Sequence, residues 1–473
     1  MQPWPFAKLS IILVTRNHWG ATAQCLLSLA DALPELPVEI IAVDNGSTDG
    51  TPENFTQIED VHAILHDDNM GLAAAWNEGA HQATGDVLLF SHNDVFYTKN
   101  SLRRMLDALA DAPDAGAIGA FTNRSRHCLA TVPAYTSEEE LQDVAALLER
   151  EQPLRRERMV LDGHALLVPR TAFERVGGFD EAYRLPGLEA VDFSFRLHTH
   201  GYHLYCAGTY MHHNEDSFAV NHVNAAQTLA DQEPHFRDVW ETGSTYSVNL
   251  RLDLLSMMDM ERPGLRVLDA GCACGTNLMR IREANPSAKL YGIELNEKTA
   301  AIARCFGEIS NEDVEQLDRP DWDGTFDYVI AGDIIEHLRD PWAAVRHFAR
   351  LLKPGGAILA SVPNILFCEQ IYDLMQGRWD YADAGILDRT HLRFFTKQTT
   401  RELFEGSGLV VRDMRSNCSL VEPERLQGLA RDLMALPWAH VTEDELLAVQ
   451  WLVDARRPED DVQDATDEKA GRA

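Results

Sequence analysis

The sequence predicts an α/β protein of two successive domains, each built on a largely parallel sheet. Short apolar runs alternate with amphipathic stretches over residues 9–94 and again from residue 266 onward, the pattern of strands joined by crossover helices. Several runs end in a carboxylate or amide followed by small turn-forming residues, which is where open parallel sheets place their ligands. A length of 473 residues accommodates two or three domains.

In the first half, SIILVT, EIIAVD, HAILHD and DVLLFS are the predicted strands, with helices over TAQCLLSLADAL and LAAAWNEGAHQA. Ser137 and Glu140 form an S-x-x-E capping box that starts a polar helix. The charged stretch from Ser137 to Arg158 reads as a surface excursion, after which ALLVP returns to strand character. HFRDVWETGSTY contains the predicted junction, near Gly243. Six further strands follow in RVLDAG, KLYGIE, YVIAGD, AILASV, LVVRDM and AVQWLVDA. The domains expected are therefore 1–243 and 244–457. Residues 458–473, polar, acidic and without aromatics, read as a disordered tail.

The formal charge of −32 opposes nucleic-acid binding and adsorption to anionic membranes, both of which rest on basic patches. No apolar run approaches the roughly 20 residues of a membrane span. Met1–Lys8 lacks the basic and apolar regions of a signal peptide. The eight cysteines are scattered, and only Cys272 and Cys274 lie close together, without partners at zinc-site spacing. A cytoplasmic protein with reduced thiols is expected; the oligomeric state is left open.

Asp44 ends a buried strand before the turn NGSTDG, where its carboxylate could accept the imide N–H of a pyrimidine base or cap the next helix. Thr15, Arg16 and Asn17 end the preceding strand and offer donors to a base or diphosphate. His92 and Asp94 alternate on the strand-end triplet His-Asn-Asp, so both can face one ligand. A divalent cation held by Asp94 would neutralise charge on a leaving diphosphate; an Asx turn is the plainer reading.

Taken in order, VTRN, VDNGSTDGT, NMGLAAAWNEGA, GDVLLFSHND, VGGFDE, LEAVDFSFRLHTHGY and MHHNEDSF resemble the family-2 glycosyltransferases of GT-A fold over residues 9–240. The resemblance implies a nucleotide-diphospho-sugar donor, with Asp44 at the base and Asn69 and Gly71 lining the donor. It also implies a metal (manganese or magnesium) at the position of His92 and Asp94, with His213 or His212 closing the diphosphate site. Two departures stand out. Histidine replaces the first aspartate of the D-x-D motif, and Ala190 in Glu189-Ala190-Val191-Asp192 replaces the aspartate that serves as general base. Glu189 is the nearest substitute, with Asp192 next; Asp192 also suits a salt bridge at a helix start.

RVLDAGCACG is a strand ending in Asp269 and a small-residue loop through Gly271, Cys272 and Gly275. Glu294 ends the next strand, 25 positions later, where a carboxylate can take both ribose hydroxyls. GCACGT fails the G-x-G-x-x-G pattern of nicotinamide sites at its second glycine. Asp313 and Val314 follow where an adenine would lie, and Asp333 lies in the loop of FDYVIAGDIIEHLRDP.

With SVPN, GRWDYADAGILDRTHLRFFT and QWLVDARRP, this block resembles class I S-adenosylmethionine-dependent methyltransferases of surface-polysaccharide synthesis over residues 244–457. Ala273 stands at the middle glycine of the family loop, a change tolerable at negative φ and damaging at positive φ. A sugar hydroxyl is a weak nucleophile, and His391 is the candidate base, with Asp388 to orient it. His337 competes, although Glu336 and His337 also suit the cofactor side.

The combined expectation is an enzyme that glycosylates a glycan or lipid-linked saccharide acceptor with inversion and O-methylates a sugar of that glycan. The alternative is an active methyltransferase whose first domain is a degenerate, glycan-binding transferase fold.

Overall fold

The structure, a computed structural model, describes residues 4–125, 127–214, 225–418 and 422–459. The acidic stretch 460–473 and Glu215–Phe218, the end of the MHHNEDSF motif, lie outside these residues. The chain divides into two compact units, Met1–Asn249 and Leu250–Ala473. Among the described residues, no helix is long and apolar enough to cross a membrane.

The first unit holds a nine-stranded sheet. Its strands are β1 (Leu9–Thr15), β2 (Val38–Asn45), β3 (Val61–His66), β4 (Val87–His92), β5 (Val95–Phe96), β6 (Ala115–Thr122), β7 (Arg155–Arg158), β8 (Ala165–Pro169) and β9 (His203–His213). The order is β3-β2-β1-β4-β8-β6-β9-β5, with β7 on β9. β1 to β4 pair in parallel, while β8 runs antiparallel to β4. Helices cover both faces of β1, so all seven of its residues are buried. Register sets Thr15 beside Asp44 and Val14 beside His92, which brings three strand ends to one edge.

The stretch after Ser137 departs from the surface excursion read from its charge. Leu141, Val144, Ala145 and Leu148 form an i, i+3, i+4, i+7 stripe on the helix Glu138–Glu151 and pack into the core, while β7 joins the sheet. Half of the predicted capping box forms. Ser137 Oγ accepts from Glu140 N at 3.2 Å, but the Glu140 carboxylate turns to Thr136 N at 2.6 Å.

The second unit holds seven strands: β10 (Arg266–Ala270), β11 (Lys289–Ile293), β12 (Glu308–Ser310), β13 (Phe326–Ala331), β14 (Leu352–Pro363), β15 (Val410–Cys418) and β16 (Ala448–Arg456). Their order is β12-β11-β10-β13-β14-β16-β15. The first five are parallel, and β16 inserts antiparallel between β14 and β15. Strand order reverses between β10 and β13, which opens a crevice at their carboxyl ends.

Candidate active sites

At the carboxyl edge of the first sheet, Asp44 is fully buried and its carboxylate accepts from Ser47 N at 3.1 Å and from Ser47 Oγ. Burial raises its pKa above the ordinary carboxylate value. Asn17 stands at φ 57° and joins the two loops: its N–H donates to Ser47 Oγ at 2.7 Å, and its Oδ1 accepts from Thr48 N at 2.7 Å. Thr15 points inward instead, its hydroxyl 2.9 Å from Thr22 Oγ1 and accepting from Asn93 Nδ2 at 3.1 Å. Arg16 follows, partly buried. Asn69 Oδ1 accepts from Gly71 N at 2.9 Å. Gly71 has φ 101°, and a Cβ there would lie 3.0 Å from the Arg184 backbone, so the loop requires glycine.

The tight turn between β4 and β5 carries Asp94, and β5 pairs Val95 with His213 of β9. His213 Nε2 therefore meets Asp94 Oδ1 at 3.1 Å. The other candidate, His212, is held by the Tyr135 hydroxyl. His92, Asp94 and His213 each offer a ligand atom within 4.8 Å of the others. Trp76 stacks on His92 at 5.6 Å, and burial lowers the His92 pKa to about 4. Its Nε2 is buried without a hydrogen-bond partner. A neutral imidazole with an unused lone pair, a second imidazole and a buried carboxylate fit a divalent cation. Sequence reading missed His164. The β4–β8 register places it beside His92, and its ring stacks on His213 at 5.8 Å.

Glu189 and Asp192 share the first turn of the helix Glu189–Thr199, and both are buried. Asp192 pairs with Arg196 at 2.7 Å and accepts from Trp240 Nε1 at 2.9 Å. Its carboxylate is committed to joining that helix to the helix Ala225–Trp240. Glu189 accepts from Gly187 N at 2.5 Å, and a Cβ on Gly163, the neighbour of His164, would lie 3.1 Å from its Oε1. Burial raises its pKa to about 7. Ala190, between them, is buried.

In the second unit, Asp269 is buried at the end of β10 and accepts from Asn277 Nδ2 at 3.2 Å; burial raises its pKa to about 7. Glu294 follows β11 and accepts from Ala273 N at 2.9 Å and Asn296 N at 2.8 Å. Each oxygen of that carboxylate retains acceptor capacity, which fits a ribose diol. Gly271 and Gly275 have φ 74° and 83°. Ala273 also takes a positive φ, 48°, the damaging case for alanine at the middle position of the loop.

The Cys272 side chain is buried against Gly292, where an added Cβ would lie 2.6 Å from its Sγ. Asp313 caps its own turn, accepting from Glu315 N and Gln316 Nε2 at 2.9 Å each, and Val314 packs on the core. Asp333 has φ 52° and binds Arg251, Gln450 Nε2 at 2.8 Å and Ser361 Oγ at 2.9 Å. Arg251, missed in the sequence, is buried and also pairs with Asp253 at 2.8 Å.

His391 does not use Asp388 for orientation. Its Nδ1 lies 2.9 Å from Ile386 O, while the Asp388 carboxylate accepts from Thr390 N at 2.7 Å and from the Thr390 hydroxyl. Glu336, His337 and His391 come together, their ligand atoms within 4.8 Å of one another.

Residues 10–177 match glycosyl transferase family 2, and residues 244–413 match a methyltransferase domain. A ubiquinone biosynthesis O-methyltransferase of Xanthomonas oryzae pv. oryzae is 29% identical over 198 residues, 38% of this chain and 80% of that protein. Among solved structures, GalNAc-T7 with UDP, GalNAc and Mn2+ is 15% identical with TM-score 0.36; the match covers 44% of each chain, less than half of GalNAc-T7. An S-adenosylmethionine-dependent methyltransferase from Mesorhizobium loti is 20% identical with TM-score 0.31, over 44% of this chain and 96% of that one. The chain is an enzyme with two transferase domains, a family-2 glycosyltransferase of GT-A fold followed by a Rossmann-like class I methyltransferase.

Proposed function

We propose that the first domain transfers a glycosyl unit from a nucleotide sugar, with inversion, to a glycan or lipid-linked saccharide, and that the second O-methylates a sugar of the same glycan using S-adenosylmethionine. The observation that carries this reading is the pairing of two chemically distinct strand-edge sites. One is His92, Asp94 and His213 beside Asp44; the other is Asp269 and Glu294 around a glycine loop.

In the donor site Asp44 takes the base, Asn69 and Gly71 line the donor, and Arg16 and Asn17 face its diphosphate. Asp94, His92 and His213 would hold manganese or magnesium, which supplies charge neutralisation for the departing diphosphate. Glu189 accepts the proton of the acceptor hydroxyl. Its burial, with pKa about 7, keeps it basic enough to do so and able to release the proton afterwards. In the methyl-donor site Glu294 takes the ribose, Asp269 and the loop 271–275 approach the amino-acid end, and Asp313 and Val314 border the adenine. The acceptor hydroxyl is activated at Glu336, His337 and His391. Fusion holds the second site at high effective concentration near the product of the first.

Ala190 favours a second reading, in which the first domain binds glycan without transferring sugar. Mass spectrometry of native glycan from cells with and without the protein separates the two. Loss of a sugar together with its methyl group supports the bifunctional enzyme. Loss of the methyl group alone supports the binding module, and an unchanged glycan overturns both.

A further inference from the structure

β13 ends at Ala331 beside the crevice between β10 and β13, and one helical turn, Ile335–His337, follows. Leu392 N and Arg393 N donate to Glu336 O at 2.8 and 3.1 Å, which ties the loop bearing His391 to that turn. The adjacent Glu336 and His337 are thereby fixed around one point with His391, about 55 positions further on.

Hydrogen bonding sets the imidazole tautomers. His391 Nδ1 faces Ile386 O at 2.9 Å; His337 Nδ1 faces Thr390 O at 3.2 Å and Thr390 Oγ1 at 3.1 Å, a hydroxyl whose own proton goes to Asp388. A carbonyl accepts only, so each Nδ1 carries the proton and each Nε2 is left with a lone pair. Glu336 adds a carboxylate to the same point. It is 1% exposed, and its Oε2 has no hydrogen-bond partner. Its Oε1 stands 4.0 Å from His391 Nε2, too far to share a proton. Arg251, the cation that acts on Glu336, is committed to Asp253 and Asp333. Electron-pair donors on one buried and two half-buried side chains face one another and can share a cation. Bonds of about 2.0–2.2 Å to a common ion require the donors to draw together by roughly 1 Å.

We propose that Glu336, His337 and His391 bind one divalent first-row transition-metal ion, which takes the acceptor hydroxyl as a further ligand. Two imidazoles and one carboxylate suit manganese, iron, cobalt or zinc better than magnesium or calcium, and three protein ligands leave positions open. The inference rests on the second domain being an O-methyltransferase and changes how the hydroxyl is activated: His391 is a ligand, not a free base. The ion lowers the hydroxyl pKa, and the proton passes to solvent. The oxygen then attacks the methyl carbon of S-adenosylmethionine. A C–O bond forms as the S–C bond breaks, and its electron pair stays on sulfur in S-adenosylhomocysteine.

The test is cobalt(II) titration of the untagged full-length chain, followed by visible absorption, in an Asp94→Ala background that removes the glycosyltransferase cation site. One equivalent is expected. Adding Glu336→Gln, or separately His391→Gln, should weaken cobalt binding more than the roughly 10–100-fold seen when only an outer hydrogen-bond partner is lost. Affinity for S-adenosylmethionine should remain, which shows that these variants are folded. An Asp94→Ala chain that binds no cobalt overturns the proposal, as does equal affinity after both substitutions. If cobalt binds and S-adenosylmethionine does not, the metal site stands and the methyl-donor reading fails.

Discussion

Glu189 and Asp192 lie three positions apart on one helix, yet their surroundings give them different capacities. The Arg196 and Trp240 contacts engage Asp192 and favour its ionised form against burial. Glu189 accepts from the Gly187 backbone N–H, and burial raises its pKa to about 7. Glu189→Gln keeps size and hydrogen bonding but removes basicity. Glycosyl turnover should fall roughly 10²-fold or more, with donor affinity retained in calorimetry. Since the carboxylate is the active form, wild-type turnover should drop as pH falls below about 7, and the variant should lose that dependence. A variant that turns over like the wild type would remove Glu189 from the chemistry. Ala273 poses a stability question. At φ 48° a Cβ costs about 1–2 kcal/mol, so Ala273→Gly should stabilise the second domain by roughly that amount, less glycine's added freedom in the unfolded chain. Denaturant unfolding measures it, and a midpoint that stays put or falls would show that the alanine is not strained.

Elements were legible in the sequence where their patterning is local. β1, β2 and β4 are continuous apolar runs because both faces are covered, and each ends in the polar residue that marks the ligand edge. β6 reads AGAIGAFT, with too little side chain to signal a strand; its place is set by pairing with β9, more than 80 positions on. The helix Glu138–Glu151 is announced by its Ser137 cap, but its packing into the core is not, because fourteen residues of high charge conceal a four-residue apolar stripe. The candidate sites divide in the same way. Asp44, Asp94, Asp269 and Glu294 could be found one strand at a time. His164 reaches His92 only through antiparallel register, and His391 meets Glu336 only through backbone bonds between distant loops. Such juxtapositions have no local signature.

At the scale of the molecule, each unit closes its own core and carries its own strand-edge carboxylates. Substitutions at one site should therefore leave the other reaction intact, and the two halves of the proposed function can be separated within one chain. Glu294→Ala removes the ribose acceptor and releases Ala273 N and Asn296 N, which solvent can reach. Methyl transfer should be lost and glycosyl transfer should persist. Asp94→Ala gives the reverse: manganese-dependent binding of the sugar nucleotide should disappear, because two neutral imidazoles do not offset a metal's charge as a carboxylate does. Methylation of an acceptor that already carries the sugar should continue. Calorimetry with each donor, run beside both assays, keeps binding separate from turnover. Loss of both reactions from either substitution, in a chain that still binds the other donor, would mean that the second reaction depends on the first site and would end the two-site account.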